Sequence, residues 1–381
     1  MRVLHFYRTY LPETVAGITN VIYQLCEGMR PFGVESEVLT LSPNPSKESF
    51  MLDNHRVHQS KSLFEIASTN FSIDVFGHFS RLAKDFDVIH YHYPWPFMDL
   101  VYLSKGRDKR SIVTYHSDIV KQKHLLKLYG GLMGAFLGNV DRIVATSPNY
   151  LASSEILEQY KDKTCIIPYG IDQESYPATD ENLVAKYQQL FGDNFFLFVG
   201  VLRYYKGLEF LVEAAKQVQA PIVIAGTGPC EAQLKEQCIA NGLGNVHFLG
   251  HVSDEEKIAL LKASRAFVFP SHLRSEAFGI SLLEASMMGK AMITCEIGSG
   301  ICYVNKRNET GLSVPPENPD ALANAVNELS IDKDKAERLG QNAKARFDSH
   351  FQANQMCAAY YKQYQEIACL NSGELSKSVS E

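Results

Sequence analysis

Short, unbroken runs of β-branched and aromatic residues punctuate this 381-residue chain, each followed by a helix-like stretch. In the first half they are Val3–Tyr7, Val34–Thr40, Val88–Tyr93, Ser111–His116, Arg142–Thr146 and Cys165–Pro168. The second half repeats the rhythm at Phe195–Leu202, Pro221–Ala225, Val246–Leu249, Ala266–Phe269 and Ala291–Thr294. Runs that are apolar throughout, rather than alternating, are strands covered on both faces, and amphipathic stretches between them are the crossovers of parallel sheets. The stretch Tyr169–Asn194 separates the two series. It holds Gly170, Pro177 and a polar run from Thr179 to Asn182, the composition of a linker. A chain of this length also exceeds what one core holds. Two doubly wound α/β domains with a cleft between them follow.

Apolar residues make up 45% of the chain and charged residues 21%, which excludes disorder, collagen and coiled coil as the main architecture. The net charge is −6 and neither half is basic, so no field for nucleic acid exists. Eight scattered cysteines without a C-x-x-C pair read as reduced, mostly buried thiols of a cytoplasmic protein. The first residues run directly into strand-like sequence without a signal-peptide stretch. Apolar runs such as Phe195–Val199 fall far short of the roughly 20 residues of a membrane span. Residues 351–368 read as a helix and the small, polar stretch 370–381 as a flexible tail.

In open parallel sheets, ligands bind beyond the carboxyl ends of the strands. The most informative loop there runs from Phe269 to Gly279 and leads into a helix over Ile280–Gly289. Glu276 precedes the helix and Glu284 lies about two turns inside it. The amides of Phe278 and Gly279, with the helix dipole, suit a phosphate, and the two carboxylates suit hydroxyls on either side of it. The ligand this describes is polyol–phosphate–polyol. A capped helix with two surface carboxylates fits the bare pattern equally well.

The run Pro-Ser-x3-Ser-Glu276-Ala-Phe-Gly-Ile-Ser-Leu-Leu-Glu284-Ala resembles the signature of retaining glycosyltransferases of the GT-B fold, family 4 type. Further matching motifs follow in order: Asp87–His92, Val113–Asp118, Ile167–Asp172, Phe198–Gly200, Lys206-Gly207, Gly226–Pro229, Phe248–Val252 and Thr310–Pro315. Leu4–Thr9 and Val113–Lys123 resemble, more narrowly, mannosyltransferases of bacterial O-antigen and other surface polysaccharides. The resemblance implies two Rossmann-like domains with an interdomain cleft. An acceptor-binding domain would span 1–175, rejoined by a helix over 351–369, and a nucleotide-sugar domain would span 190–350. Domain closure over the donor would assemble the site.

It also implies roles. Lys206 would meet the diphosphate of the donor. Relatives carry Arg where this chain has Val201, and Arg203 stands two positions later as the second cation. Glu276 would face the hydroxyls of the donor sugar, Glu284 the ribose, and Ala277, Phe278 and Gly279 the phosphate. Gly250, His251 and Val252 would line the base, and Gly228 would allow close backbone approach to the nucleotide. Gly17, preceded here by Ala16 rather than glycine, would admit a phosphate or sugar. His116 would stabilise charge at the anomeric centre or bond a sugar hydroxyl; without the motif it reads as a core histidine ending a strand. The implied reaction moves mannose from GDP-mannose to a lipid-linked glycan acceptor, with no cofactor and no metal.

His90, His92 and His116 imitate a metal trio, but no carboxylate or cysteine completes a zinc spacing. A dehydrogenase lacks support, because Gly226-Thr-Gly228-Pro-Cys-Glu231 has Glu where the third glycine belongs. A UDP-sugar donor, a nucleotide-sugar epimerase and a non-catalytic subunit are the other readings. Lys105, Arg107, Lys109, Arg110, Lys121, Lys123 and Lys127 lie near Leu125, Leu126, Leu128, Tyr129, Leu132, Met133 and Phe136. Such a patch suits peripheral contact with the inner face of a plasma membrane; Gly130, Gly131 and Gly134 argue against one continuous helix there.

Overall fold

Each series of apolar runs closes into one largely parallel sheet. The computed structural model describes residues 1–66, 69–119 and 123–369. It divides into two units, one of Met1–Gly170 with the chain from Ala353 onward, the other of Ile171–Gln352.

In the first unit the strands are β1 (Arg2–Phe6), β2 (Glu35–Ser42), β3 (Phe50–Leu52), β4 (His55–Lys61), β5 (Phe64–Ile66), β6 (Thr69–Phe71), β7 (Val88–Tyr93), β8 (Ser111–Tyr115), β9 (Arg142–Ala145) and β10 (Thr164–Ile166). Eight of them form one sheet in the order β10-β9-β8-β7-β1-β2-β4-β3, parallel except for β3, and β5 and β6 make a separate hairpin. The strand order reverses between β1 and β7. The helix Ala353–Cys369 completes this unit: Tyr360 and Tyr364 are fully buried, and Arg142 reaches Glu366 at 3.3 Å.

The strand β4 is absent from the sequence reading because its HRVHQSK is polar. His55, His58 and Ser60 are nevertheless buried, since His55 meets Glu27 at 2.7 Å and Tyr10 at 3.0 Å, and His58 meets Glu37 at 2.5 Å. Hydrogen-bonded partners offset the cost of burying such groups.

The second unit contains β11 (Phe196–Val199), β12 (Ile222–Ala225), β13 (Val246–Gly250), β14 (Ala266–Phe269), β15 (Ala291–Cys295) and β16 (Gly311–Val314). They form an all-parallel sheet in the order β13-β12-β11-β14-β15-β16. The order reverses between β11 and β14, so the crevice where such sheets take ligands lies beyond their carboxyl ends.

Two sequence expectations require correction. The stretch read as a linker contains a helix, Glu181–Phe191, capped by Asp180 and buried through Val184 and Tyr187. The glycines at 130, 131 and 134 do not break the helix Lys123–Asn139; Phe136 and Leu137 anchor it in the core, where tertiary packing outweighs helix propensity. The tail 370–381 lies outside the described residues. Among the described residues no helix is long and apolar enough to cross a membrane.

Candidate active site

The two loops that follow β11 and β14 are stitched together. The His272 amide donates to the Tyr205 carbonyl at 3.1 Å, and His272 Nε2 lies 3.0 Å from the Tyr204 carbonyl. Gly207 has φ +65°, and a Cβ there would fall 2.2 Å from the Pro270 carbonyl oxygen. Only glycine satisfies both the left-handed backbone and this approach.

The stitching brings Lys206 to Glu276. Their side chains form an ion pair, Nζ on Oε2, with Lys206 only 8% exposed. The ammonium also lies 4.4 Å above the Phe269 ring and 5.5 Å from that of Tyr205. Ser271 Oγ donates to Glu276 Oε2 at 3.4 Å. Burial, with Glu276 beside it, pushes the Tyr205 phenol up to about 12. The loops at the sheet's reversal thus bring Lys206 and Glu276 into contact.

Helix Ile280–Met287 starts directly after Gly279, and its first amides have no acceptor within the helix. Ala277 and Phe278 are buried at its foot, with the Phe278 ring 6.1 Å from that of Phe351. Glu284, 7% exposed, accepts on Oε1 from Lys257 Nζ at 2.7 Å and from the Tyr176 hydroxyl at 3.0 Å. Burial alone would lower the Lys257 pKa, but Glu284 and Asp254 outweigh it and hold the ammonium above its ordinary value. Arg203 is exposed at the turn before Lys206, and Val252 is half-buried ahead of the helix Asp254–Ala263. Gly228 does make a close backbone approach, but to the chain itself: a Cβ there would fall 2.5 Å from the Leu202 carbonyl oxygen.

Gly17 and His116 belong to the first unit. Gly17 is exposed at the start of the helix Gly17–Gly28, where Thr19 Oγ1 accepts from the Ala16 amide at 2.9 Å. His116 ends a chain of buried rings that lies under the reversal of the first sheet. The β1–β7 register sets His5 beside His90. His5 Nδ1 lies 3.1 Å from His92 Nε2, His92 Nδ1 lies 3.0 Å from His116 Nε2, and His116 Nδ1 meets the Tyr169 hydroxyl. Both His116 nitrogens are therefore engaged within the protein. Burial pushes His5 and His116 down to about 3, with His55 adding to the effect at His5. It also holds His90 and His92 well below the usual histidine value.

Among the described residues, the three rings close enough to share a metal are His5, His90 and His92, whereas the sequence pattern grouped His116 with His90 and His92. His90 spends Nδ1 on Tyr364 and Nε2 on Thr114, both at 2.7 Å, and His92 spends both nitrogens on its neighbours. Only His5 Nε2 is left without a partner. A metal there would have to displace the hydrogen bonds of His90 and His92.

A cavity of about 640 Å³ opens beyond the carboxyl ends of β1, β2 and β4, lined by Thr9, Glu13, Thr14, Ser42, Asn44 and Phe64 among others. Glu13 Oε1 accepts there from Ser42 Oγ at 2.6 Å and Gln59 Nε2 at 3.0 Å.

Sequence reasoning missed Tyr176, Lys257, Tyr169 and His5. Lys257 had a faint signal, lying three residues after Asp254 on one helix. Tyr169 stands inside a quoted motif, while Tyr176 has no local signature.

Residues 180–346 match the family described as glycosyl transferases group 1, and residues 15–175 match Glycosyltransferase Family 4. The chain is 53% identical over 353 residues to the D-rhamnosyltransferase WbpZ of Pseudomonas aeruginosa, covering 93% of each. It is 48% identical over 364 residues to the O-antigen chain mannosyltransferase C of Escherichia coli, covering 96% of this chain and 98% of the relative. Among solved structures it is similar to sucrose-phosphate synthase of Thermosynechococcus elongatus, with a TM-score of 0.81 at 20% identity over 97% of this chain and 99% of the other.

Proposed function

The chain belongs to the GT-B glycosyltransferases of the family 4 type, and from that premise we propose that it transfers mannose from GDP-mannose, with retention, to a lipid-linked glycan in bacterial O-antigen synthesis. The observation that carries this reading is the delivery of Lys206 and Glu276 to the crevice between β11 and β14. The identity with an O-antigen mannosyltransferase supports the sugar and the process.

In this reading the donor diphosphate takes Lys206 from its partner, and Glu276, so released, accepts from hydroxyls of the sugar. The departing diphosphate gathers charge, met by Lys206, Arg203 and the first amides of helix Ile280–Met287, and no metal ion is invoked. The bond from the anomeric carbon to phosphate oxygen breaks, and the acceptor oxygen bonds that carbon on the same face. The acceptor's proton passes to the departing phosphate oxygen. Glu284 takes the ribose. We place the acceptor glycan in the cavity of the first unit, where a carboxylate, hydroxyls and the Phe64 ring suit a saccharide. The protein works at the cytoplasmic face of the membrane.

A second reading has its own observation in the 53% identity to a D-rhamnosyltransferase. D-Rhamnose is mannose without its 6-hydroxyl, so the two donors differ by one oxygen. Thermal unfolding against GDP, UDP and ADP, followed by transfer from GDP-mannose and GDP-D-rhamnose, separates the readings. A ligand at a hundred times its dissociation constant adds about 2.7 kcal/mol of stability. Stabilisation by GDP with transfer of mannose supports the proposal; transfer of rhamnose alone replaces the sugar. Stabilisation by UDP alone replaces the base, conversion of the donor to an isomeric nucleotide sugar without acceptor points to an epimerase, and no shift with any nucleotide overturns the reading.

A further inference from the structure

Both hydrogen-bond donors that reach Glu284 go to the same oxygen. Lys257 Nζ at 2.7 Å and the Tyr176 hydroxyl at 3.0 Å end on Oε1, and among the described residues no hydrogen bond ends on Oε2. The three side chains come from three separate pieces of the second unit. Tyr176 follows the turn Gln173–Ser175, Lys257 sits on the helix Asp254–Ala263, and Glu284 on the helix Ile280–Met287. Lys257 is itself anchored, with Asp254 Oδ1 at 2.7 Å and the Tyr176 ring 5.2 Å from its ammonium.

We propose that Tyr176 and Lys257 are positioning residues for nucleoside recognition: they clamp Glu284 Oε1 and so aim Oε2 at the vicinal diol of a ribose. The inference rests on the donor reading above, in which Glu284 faces the ribose. A diol offers two protons, and an ionised carboxylate, which only accepts, suits it. Lys257 sets an ammonium 2.7 Å from that carboxylate. Fixing the side chain before the ligand arrives also removes the ordering cost that a free glutamate would bear on binding. A plain structural ion pair between two helices would need only Lys257. Tyr176 adds a second donor to the same oxygen and leaves the other one open.

The test compares GDP and UDP with their 2′,3′-dideoxy counterparts by calorimetry, on the full chain and on Y176F, K257M, K257R and E284Q. The better-binding natural nucleotide is expected to lose roughly three- to tenfold in affinity in Y176F and in K257M. Its dideoxy counterpart should bind every variant as it binds the wild type. K257R should recover most of the loss, and Y176F should add nothing in the E284Q background. Equal weakening of natural and dideoxy nucleotides in Y176F and K257M would overturn the proposal in favour of a purely structural cluster, as would no weakening in either. Melting temperatures without nucleotide identify a variant that has lost its fold, and Y176F, which keeps the lysine contact, then decides alone. If E284Q binds natural nucleotides as the wild type does, the ribose role of Glu284 fails and takes this inference with it. If the wild type binds neither GDP nor UDP, the donor reading itself fails.

Discussion

Lys206 and Glu276, the two side chains proposed to meet the donor, form an ion pair with each other at the mouth of the crevice between β11 and β14. Lys206→Met is expected to lower the transfer rate roughly a hundredfold or more, since it removes a cation from the departing diphosphate. Each single substitution also leaves a nearly buried charge unanswered, at a cost of about 3 kcal/mol. The double variant Lys206→Met/Glu276→Gln is therefore expected to melt above either single variant while remaining inactive. Initial rates and melting temperatures of the three variants check this. Singles that melt like the wild type would show that the pair contributes nothing to the fold.

The histidines of the first unit predict acid sensitivity. His5, His90, His92 and His116 are neutral when folded, because burial lowers them, His5 and His116 to about 3. In the unfolded chain each titrates near 6.5. As pH falls below 6.5 the unfolded state binds the extra protons, so stability present above that pH is lost progressively toward pH 3. Asp99 acts in the opposite sense, since burial raises its pKa and it holds a proton only when folded. Four histidines less one aspartate leave about three protons taken up on unfolding near pH 5, or roughly 4 kcal/mol per pH unit, and His78 and His247, also lowered by burial, add in the same direction. Urea unfolding at pH 7.5, 6.5, 5.5 and 5.0 reads this slope directly. A flat profile across that range would contradict the neutral cluster.

The parallel architecture was legible because its strands are apolar throughout, as in FLFV of β11 and AFVF of β14. The polar β4 was not, because its histidines depend on Glu27, Glu37 and Tyr10, which are distant in sequence. The same division holds at the site. Lys206, Glu276 and Glu284 sit in local motifs and could be read one loop at a time. That Lys206 and Glu276 touch follows from the strand order, and that Tyr176 reaches Glu284, 108 residues away, follows from packing of three pieces. His90 and His92 were visible as a pair, but their hydrogen-bond partners are not: Thr114 and Tyr364 for His90, His5 and His116 for His92, all brought in from other strands, a loop and the last helix.

The cationic patch can be tested in part. Arg110 is committed to Asp141 at 2.9 Å and Phe136 is buried, so neither is available to a bilayer. Lys105 and Arg107 are exposed; residues 120–122, with Lys121, lie outside the described residues, and so do the side chains over 123–128, those of Lys123, Leu125, Leu126, Lys127 and Leu128 among them. Each basic residue near an anionic surface contributes about 1 kcal/mol at low ionic strength, and salt screens it. The protein is expected to sediment with phosphatidylglycerol vesicles at low salt and to be released at high salt. Lys105→Glu/Arg107→Glu should weaken the binding without shifting the melting temperature. Sedimentation that ignores both salt and the double substitution would remove this patch from the membrane contact.

The cavity beyond β1, β2 and β4 carries the acceptor assignment, and its chemistry separates it from the donor crevice. Glu13 offers Oε1 to Ser42 and Gln59, an arrangement that orients its carboxylate within the cavity wall. Phe64, about half exposed, presents a ring of the kind on which the apolar face of a sugar packs. Glu13→Gln and Phe64→Ala are each expected to raise the KM for the lipid-linked acceptor roughly tenfold, the worth of one good contact. The KM for the nucleotide sugar and the slow hydrolysis of donor by water should stay unchanged, because neither involves the acceptor. Steady-state kinetics with each substrate varied in turn separates the two effects. An unchanged acceptor KM in both variants would move the glycan elsewhere on the first unit, and a raised donor KM would mean that the cavity belongs to the nucleotide sugar.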